Sequence, residues 1–171
     1  RDMLLADGYP ICVSNRSDPF TARNRLDSIA FFTHLAERKG GVFIQTKTGP
    51  GMDECLEIMG DRRDMVVYIT ITSMRDEIAA VVEPNAPPPS ARLATAKRLH
   101  KAGYLVLLAV NPCTEAWMPR TDFESFCREM KKAGLRHICL EILDLKRKRI
   151  KLLSERKKRM LGEQALDDCA S

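Results

Sequence analysis

The sequence predicts an α/β fold built around a parallel sheet, on three observations. Five short apolar runs rich in branched and aromatic residues recur along the chain: "YPICVS" 9–14, "VFIQT" 42–46, "MVVYITI" 65–71, "YLVLLAV" 104–110 and "HICLEIL" 137–143. A helical pattern separates each run from the next, and that alternation is the signature of parallel strands joined by crossover helices. The runs are also near-continuously apolar, as expected of strands covered on both faces. An open doubly wound sheet and a segment of a β/α barrel both satisfy this rhythm, and periodicity does not choose between them.

Each helix has its own signals. The first follows "SDPF" 17–20, with Asp18 placed to cap it and Pro19 suited to its first turn, where the missing N–H has no partner to lose. Leu26, Ile29, Ala30, Thr33 and Ala36 are expected to form its inner stripe, and Gly40-Gly41 ends it. A shorter helix is expected over residues 50–59 and another over 75–82. "PPPS" 87–90 stops the chain and offers Ser90 as the next N-cap. Leu93, Ala96, Leu99 and Ala102 line the helix that follows, and Gly103 closes it. "TDFE" 121–124 has the form of a capping box between Thr121 and Glu124, with Phe123, Phe126, Cys127 and Met130 as the apolar face and Gly134 as the stop.

Composition bounds the class. The 171 residues, 44% of them hydrophobic, suffice for one domain with a core of its own. The longest apolar runs, such as 104–110, are far too short to span a bilayer, so no membrane partner is expected. No secretory signal is visible at "RDMLLADGYP", and the first residue is Arg rather than Met, which suggests a fragment or a processed chain. The formal net charge of +5 is concentrated at one end. Residues 1–145 are balanced, with 19 basic and 19 acidic side chains, whereas 146–171 hold 9 and 4. The organisation expected is therefore a β/α unit over 1–145 and a basic C-terminal helix and tail over 146–171. The run "KRKRIKLLSERKKR" 146–159 suits a solvated helix face, with Leu145, Leu152, Leu153 and Met160 at helical spacing. It also suits contact with nucleic acid phosphates, DNA included.

The six cysteines, Cys12, Cys55, Cys113, Cys127, Cys139 and Cys169, fall in no CxxC knuckle, and no His/Cys cluster is present. No metal site is assigned to this chain by itself. Reduced thiols in the cytoplasm are the expectation. GxGxxG, GxxxxGK and GxSxG signatures are absent. The chemistry that the sequence does offer lies at the carboxyl ends of the strands, where ligands bind in either architecture. Those ends read Ser14-Asn15, Thr46-Lys47, Thr70 to Ser73, Asn111-Pro112 and Glu141 to Asp144. One lysine among hydroxyls and an Asn suits an anionic or carboxylate-bearing ligand.

The ordered set of motifs from about Ser14 to Glu141 resembles the radical S-adenosylmethionine enzymes of the spore photoproduct lyase-related family. "SNRSDPF" 14–20 is similar to the family's "GN-TDP" followed by Phe or Tyr, and Thr46-Lys47 to its "TKS". Glu83-Pro84, Arg92 and Ala102-Gly103 are similar to its "EP-G-AP-P--RL-A---L--AG". The resemblance implies a parallel β/α partial, open TIM-type barrel, of which this chain supplies the later units only. It implies S-adenosylmethionine as cofactor, held by Lys47, Thr70, Thr72 and the backbone near Asn111, with Asn15 and Asp18 on the substrate side. Glu83 and Arg92 are expected to pair and set helix geometry. No catalytic residue is assigned. Two departures stand out. The family's CxxxCxxC motif, which ligates its 4Fe-4S cluster, is missing, so the cluster is expected only with an upstream segment or a split partner chain. Asn15 also occupies the position of the hydrogen-donating cysteine of true lyases, so thymine-dimer repair is not assigned. The function expected is the C-terminal portion of a radical S-adenosylmethionine, lyase-like enzyme, this chain being inactive alone. The alternative is a non-enzymatic α/β module that binds nucleic acid through 146–159.

Overall fold

The computed structural model describes residues 7–14, 17–142, 155, 158 and 159. Five strands form one sheet: β1 (Ile11–Val13), β2 (Val42–Thr46), β3 (Met65–Thr70), β4 (Leu105–Cys113) and β5 (Ile138–Ile142). They lie in the order β1-β2-β3-β4-β5, and every neighbouring pair is parallel. Five helices connect them: α1 (Arg25–Ala36), α2 (Met52–Met59), α3 (Asp76–Val82), α4 (Pro89–Lys101) and α5 (Arg120–Lys132). The α/β class and the parallel sheet expected from the sequence are both present. The basic run 146–159 lies, apart from Glu155, Lys158 and Arg159, outside the described residues.

The register fixes which face of the sheet is which. Val42, Ile44 and Thr46 stand beside Met65, Val67 and Ile69, and Val67 and Ile69 stand beside Val106 and Leu108. Apart from Thr46, these positions are apolar and join Phe32, Leu35, Leu56, Met59, Leu93, Leu99, Phe126 and Met130 of the helices in one core. Burial of each such side chain stabilises the fold by about 2 kcal/mol before entropy is counted. Sequential strand order with the usual right-handed crossovers places all the helices on that face. On the opposite face Tyr68, Thr70 and Ala109 of the central strands are buried, whereas Cys12, Phe43, Gln45, Val66, Leu107 and Cys139 are only partly covered or exposed. The expectation of strands covered on both faces holds in part: the helices cover one face, and on the other only positions of β3 and β4 are buried. β5, at the edge, is little covered even on the helix side: Leu140, which stands beside the core residue Val110, is 51% exposed, and Ile142 is 86% exposed.

Several local expectations fail, two of them, at Asp18 and Ser90, because the polar group has a partner across the fold. Asp18 does not cap a helix. The chain instead makes a 3-10 turn at Ala22–Asn24, with the Thr21 hydroxyl accepting from the Asn24 N–H, and α1 begins only at Arg25. Pro19 consequently lies ahead of the helix. The inner stripe of α1 is Ser28, Phe32 and Leu35; of the residues expected there, Ile29 and Ala36 pack against the core partly buried, while Leu26 is 77% exposed and Ala30 and Thr33 face outward. Ser28 is buried because its hydroxyl donates to the Pro19 carbonyl at 2.5 Å. Ser90 is not an N-cap either. α4 starts at Pro89, and both the N–H and the hydroxyl of Ser90 donate to the Asp76 carboxylate of α3. The Thr121–Glu124 capping box does not form: Pro119 precedes α5, Glu115 accepts from the Arg120 N–H, and Glu124 pairs with the Arg120 side chain. Ala102 is exposed.

Candidate functional site

The carboxyl ends of β1, β2 and β3 open into a small polar basin of about 130 Å³ lined by Ser14, Ser17, Asp18, Gln45, Thr46, Lys47 and Thr70. Asp18 organises it. Its carboxylate accepts from the Phe20 N–H at 2.9 Å, from the Thr46 hydroxyl at 3.0 Å and from the Lys47 N–H at 2.5 Å. Thr46 in turn accepts from the Thr48 N–H at 2.8 Å. One acidic side chain thus rivets the loop after β1 to the end of β2, and it satisfies backbone donors that the strand has left behind.

The chain after β2 is held just as closely. A Cβ at Gly49 would lie 2.3 Å from the Phe20 carbonyl oxygen, so only glycine fits this approach. Gly51 donates its N–H to the same carbonyl at 3.1 Å. Thr48, a β-branched residue, is forced to φ 60°, a conformation that costs about 1 kcal/mol or more. The backbone on both sides of Lys47 is therefore fixed while its side chain is left to reach.

That side chain sits where the basin meets a second, more apolar groove of about 520 Å³, walled by the 47–50 and 82–87 segments. Lys47 and Asp18 line both cavities. The Lys47 Nζ is 3.5 Å from Glu83 Oε1. Glu83 Oε2 is 2.7 Å from Nη1 of Arg92, a guanidinium with no exposed surface. Arg92 also donates from Nε to the Pro87 carbonyl at 2.6 Å and from Nη1 to the Thr70 carbonyl at 3.1 Å. The expected Glu83–Arg92 pair is present, and it fastens the segment between α3 and α4 to the tip of β3. It is imperfect: neither Glu83 Oε2 nor Arg92 Nη2 has a hydrogen-bond partner among the described residues.

A separate polar group occupies the ends of β4 and β5. The Tyr68 hydroxyl donates to Glu141 Oε1, and the Asn111 side-chain amide donates to Glu141 Oε2 at 2.7 Å. Burial first, and then the Glu141 carboxylate beside it, push the Tyr68 phenol well above its usual range, so it remains a proton donor at neutral pH.

The residues singled out in the sequence are thus divided by the structure. Lys47, Thr70 and Asp18 share the basin. Thr72 is fully buried, and its hydroxyl is 3.4 Å from the Asn111 carbonyl that it donates to. Asn111 is engaged with Glu141 and does not line the basin. Asn15 lies outside the described residues. Sequence reasoning passed over Ser17 and Gln45. Gln45 carried a usable signal, as the one polar residue within the 42–45 run. Among the described residues, no group of three His, Cys, Asp or Glu side chains comes together in metal-holding geometry. Cys12, Cys55, Cys113, Cys127 and Cys139 are all free thiols. No helix among the described residues is long and apolar enough to cross a membrane.

No protein-family model matches the chain, and no solved structure matches it. The chain is similar to an uncharacterized protein, ORF301, of Acidianus two-tailed virus, with 27% identity over 93 residues. That match covers 52% of this chain and 31% of the viral protein, so the chain spans less than a third of the relative's length.

Proposed function

We propose that this chain forms the later β/α units of an open, partial TIM-type barrel in a radical S-adenosylmethionine protein related to the spore photoproduct lyases. In this reading the basin holds the amino-acid end of the cofactor. One observation carries the reading: Lys47 lines a basin with Ser14, Ser17, Thr46 and Thr70 at the shared carboxyl end of three parallel strands, on backbone fixed by Asp18 and Gly49. A carboxylate calls for a fixed cation and short donors, and Lys47 with the Thr70 hydroxyl supplies both. The Asp18 carboxylate, beside them, suits an ammonium. An α-amino acid zwitterion matches this pairing in charge and in size. Sequential strand order, with every helix on one face, supports the barrel over the doubly wound sheet.

When bound, S-adenosylmethionine supplies a hydrogen-abstracting radical, chemistry that belongs to the cofactor. The residues of this chain bind and orient. Lys47 anchors the carboxylate, Thr70 donates beside it, and the 82–87 segment shields the groove from water. The described residues do not fit an iron–sulfur cluster, because no three cysteines approach one another. This reading therefore assigns the cluster ligands to another segment or partner chain, and no step is derived through them. A reducing cytoplasm suits the free thiols.

The test is Lys47→Ala in the protein carrying its cluster segment. S-adenosylmethionine affinity falls about tenfold or more, by equilibrium dialysis, while iron content stays constant. Unchanged affinity overturns the assignment.

A further inference from the structure

Glu83 is drawn toward two cations and fully satisfies neither. Oε1 faces the Lys47 ammonium at 3.5 Å, a loose contact between groups with 38% and 15% exposed side chains. Oε2 lies 2.7 Å from Arg92 Nη1 but out of line for a hydrogen bond. Arg92 Nη2, on a fully buried guanidinium, is left without a partner among the described residues. A buried, unpartnered N–H beside a buried, unpartnered carboxylate oxygen is a costly arrangement, since each group has given up water and received nothing in return. A small rotation of the Glu83 side chain would place both oxygens across the guanidinium fork, the geometry an arginine–carboxylate pair favours. The pull of Lys47 on Oε1 opposes that rotation.

We infer that Glu83 is a two-position counter-ion. It holds the Lys47 ammonium when the basin is empty, and it turns onto Arg92 Nη2 when a ligand carboxylate takes the lysine. The inference rests on the reading of Lys47 as a carboxylate anchor. It adds a positioning role for Glu83 and Arg92 and a consequence for the groove. Arg92 already ties Pro87 to Thr70, and Glu83 begins the same 83–88 segment. Completing the fork fastens both ends of that segment, so ligand binding in the basin tightens the wall of the adjoining groove. Glu83 also sets selectivity. A ligand without a carboxylate leaves Lys47 paired and the segment loose, and it gains nothing from the fork.

The experiment uses the full chain and S-adenosylmethionine as probe. It is read by side-chain 15N–1H spectra of Arg92 and by hydrogen exchange at the Ala86 amide, whose N–H closes a turn on the Glu83 carbonyl at 3.0 Å. On saturation the Arg92 Nη protons shift and Ala86 exchange slows about tenfold. In Glu83→Gln, shown to be folded by circular dichroism and saturated with the probe, both responses vanish. Should that variant fail to fold, the wild-type responses decide alone. If the probe binds and Lys47→Ala weakens it, yet Arg92 and Ala86 stay silent, the counter-ion role is overturned and the lysine anchor stands. If the probe does not bind, or binds Lys47→Ala as well as wild type, the anchor falls and the counter-ion role with it.

Discussion

Two arginines, one at each end of the sheet, perform similar work to different degrees of completion. At the amino end Arg62 uses all five of its N–H donors. They reach the Leu35 carbonyl at 2.7 Å, the Arg38 carbonyl at 2.9 Å, the Gly40 carbonyl at 2.5 Å and both oxygens of Asp64. This latch closes the α1–β2 turn against the entry to β3. At the carboxyl end Arg92 is more deeply buried and yet leaves Nη2 unused. A solvent-touched structural arginine is thus saturated, while the fully buried one beside the candidate site is not. The difference teaches where the fold has tolerated an unmet bond, and that place adjoins Lys47.

The comparison breaks first at Arg92. Arg92→Met is expected to cost about 3–5 kcal/mol in denaturant unfolding, because it strands Glu83 with one loose counter-ion. Adding Glu83→Gln to it recovers most of that loss, since replacing both halves of a buried pair is far cheaper than removing one. A near-neutral single variant would erase the contrast. Arg62→Met follows at about 2 kcal/mol in denaturant unfolding, since it leaves the Asp64 carboxylate and three carbonyls without their donor.

The smallest effect is electrostatic. The hydrogen bond from the Arg62 guanidinium, set against some desolvation, holds the Asp64 carboxyl below its ordinary range. A carboxylate depressed in the folded state contributes stability that is present above its unfolded value and is lost as pH falls through the folded one. Asp64→Asn therefore costs about 0.5 kcal/mol at pH 7, modest because Asp64 is 46% exposed. The gap between variant and wild type closes below the usual carboxylate range. A gap that widens on acidification would remove Asp64 from the latch.

All five strands were legible because buried parallel strands leave a dense apolar signal that no helix here imitates. Their exposure was not. β5 reads as apolar as β3, and only the sheet order shows that it is an edge. The face of α1 was misread because Leu26, Ile29, Phe31, Phe32 and Leu35 nearly encircle it, leaving periodicity no side to prefer. The caps failed as a class. Asp18, Ser90 and Thr121 have the right chemistry in the right places, but Asp18 and Ser90 serve partners 28 and 14 residues away. In the site, Lys47 and Thr70 were legible because polar residues that interrupt a strand's end are rare and positional. Thr72 was not: two residues beyond Thr70, the chain has already turned its hydroxyl inward to β4.

The Asp18 clamp sets a narrow rule for what position 18 can be. Three donors from two segments converge on two oxygens, so the group there must accept and never donate. Asparagine would turn an N–H toward another N–H or O–H, and glutamate would arrive one methylene too long for a loop that Gly49 has already closed. A single charge thus dictates the identity of a residue that touches no hydrophobic core. Any redesign of the mouth would have to start by leaving that carboxylate alone.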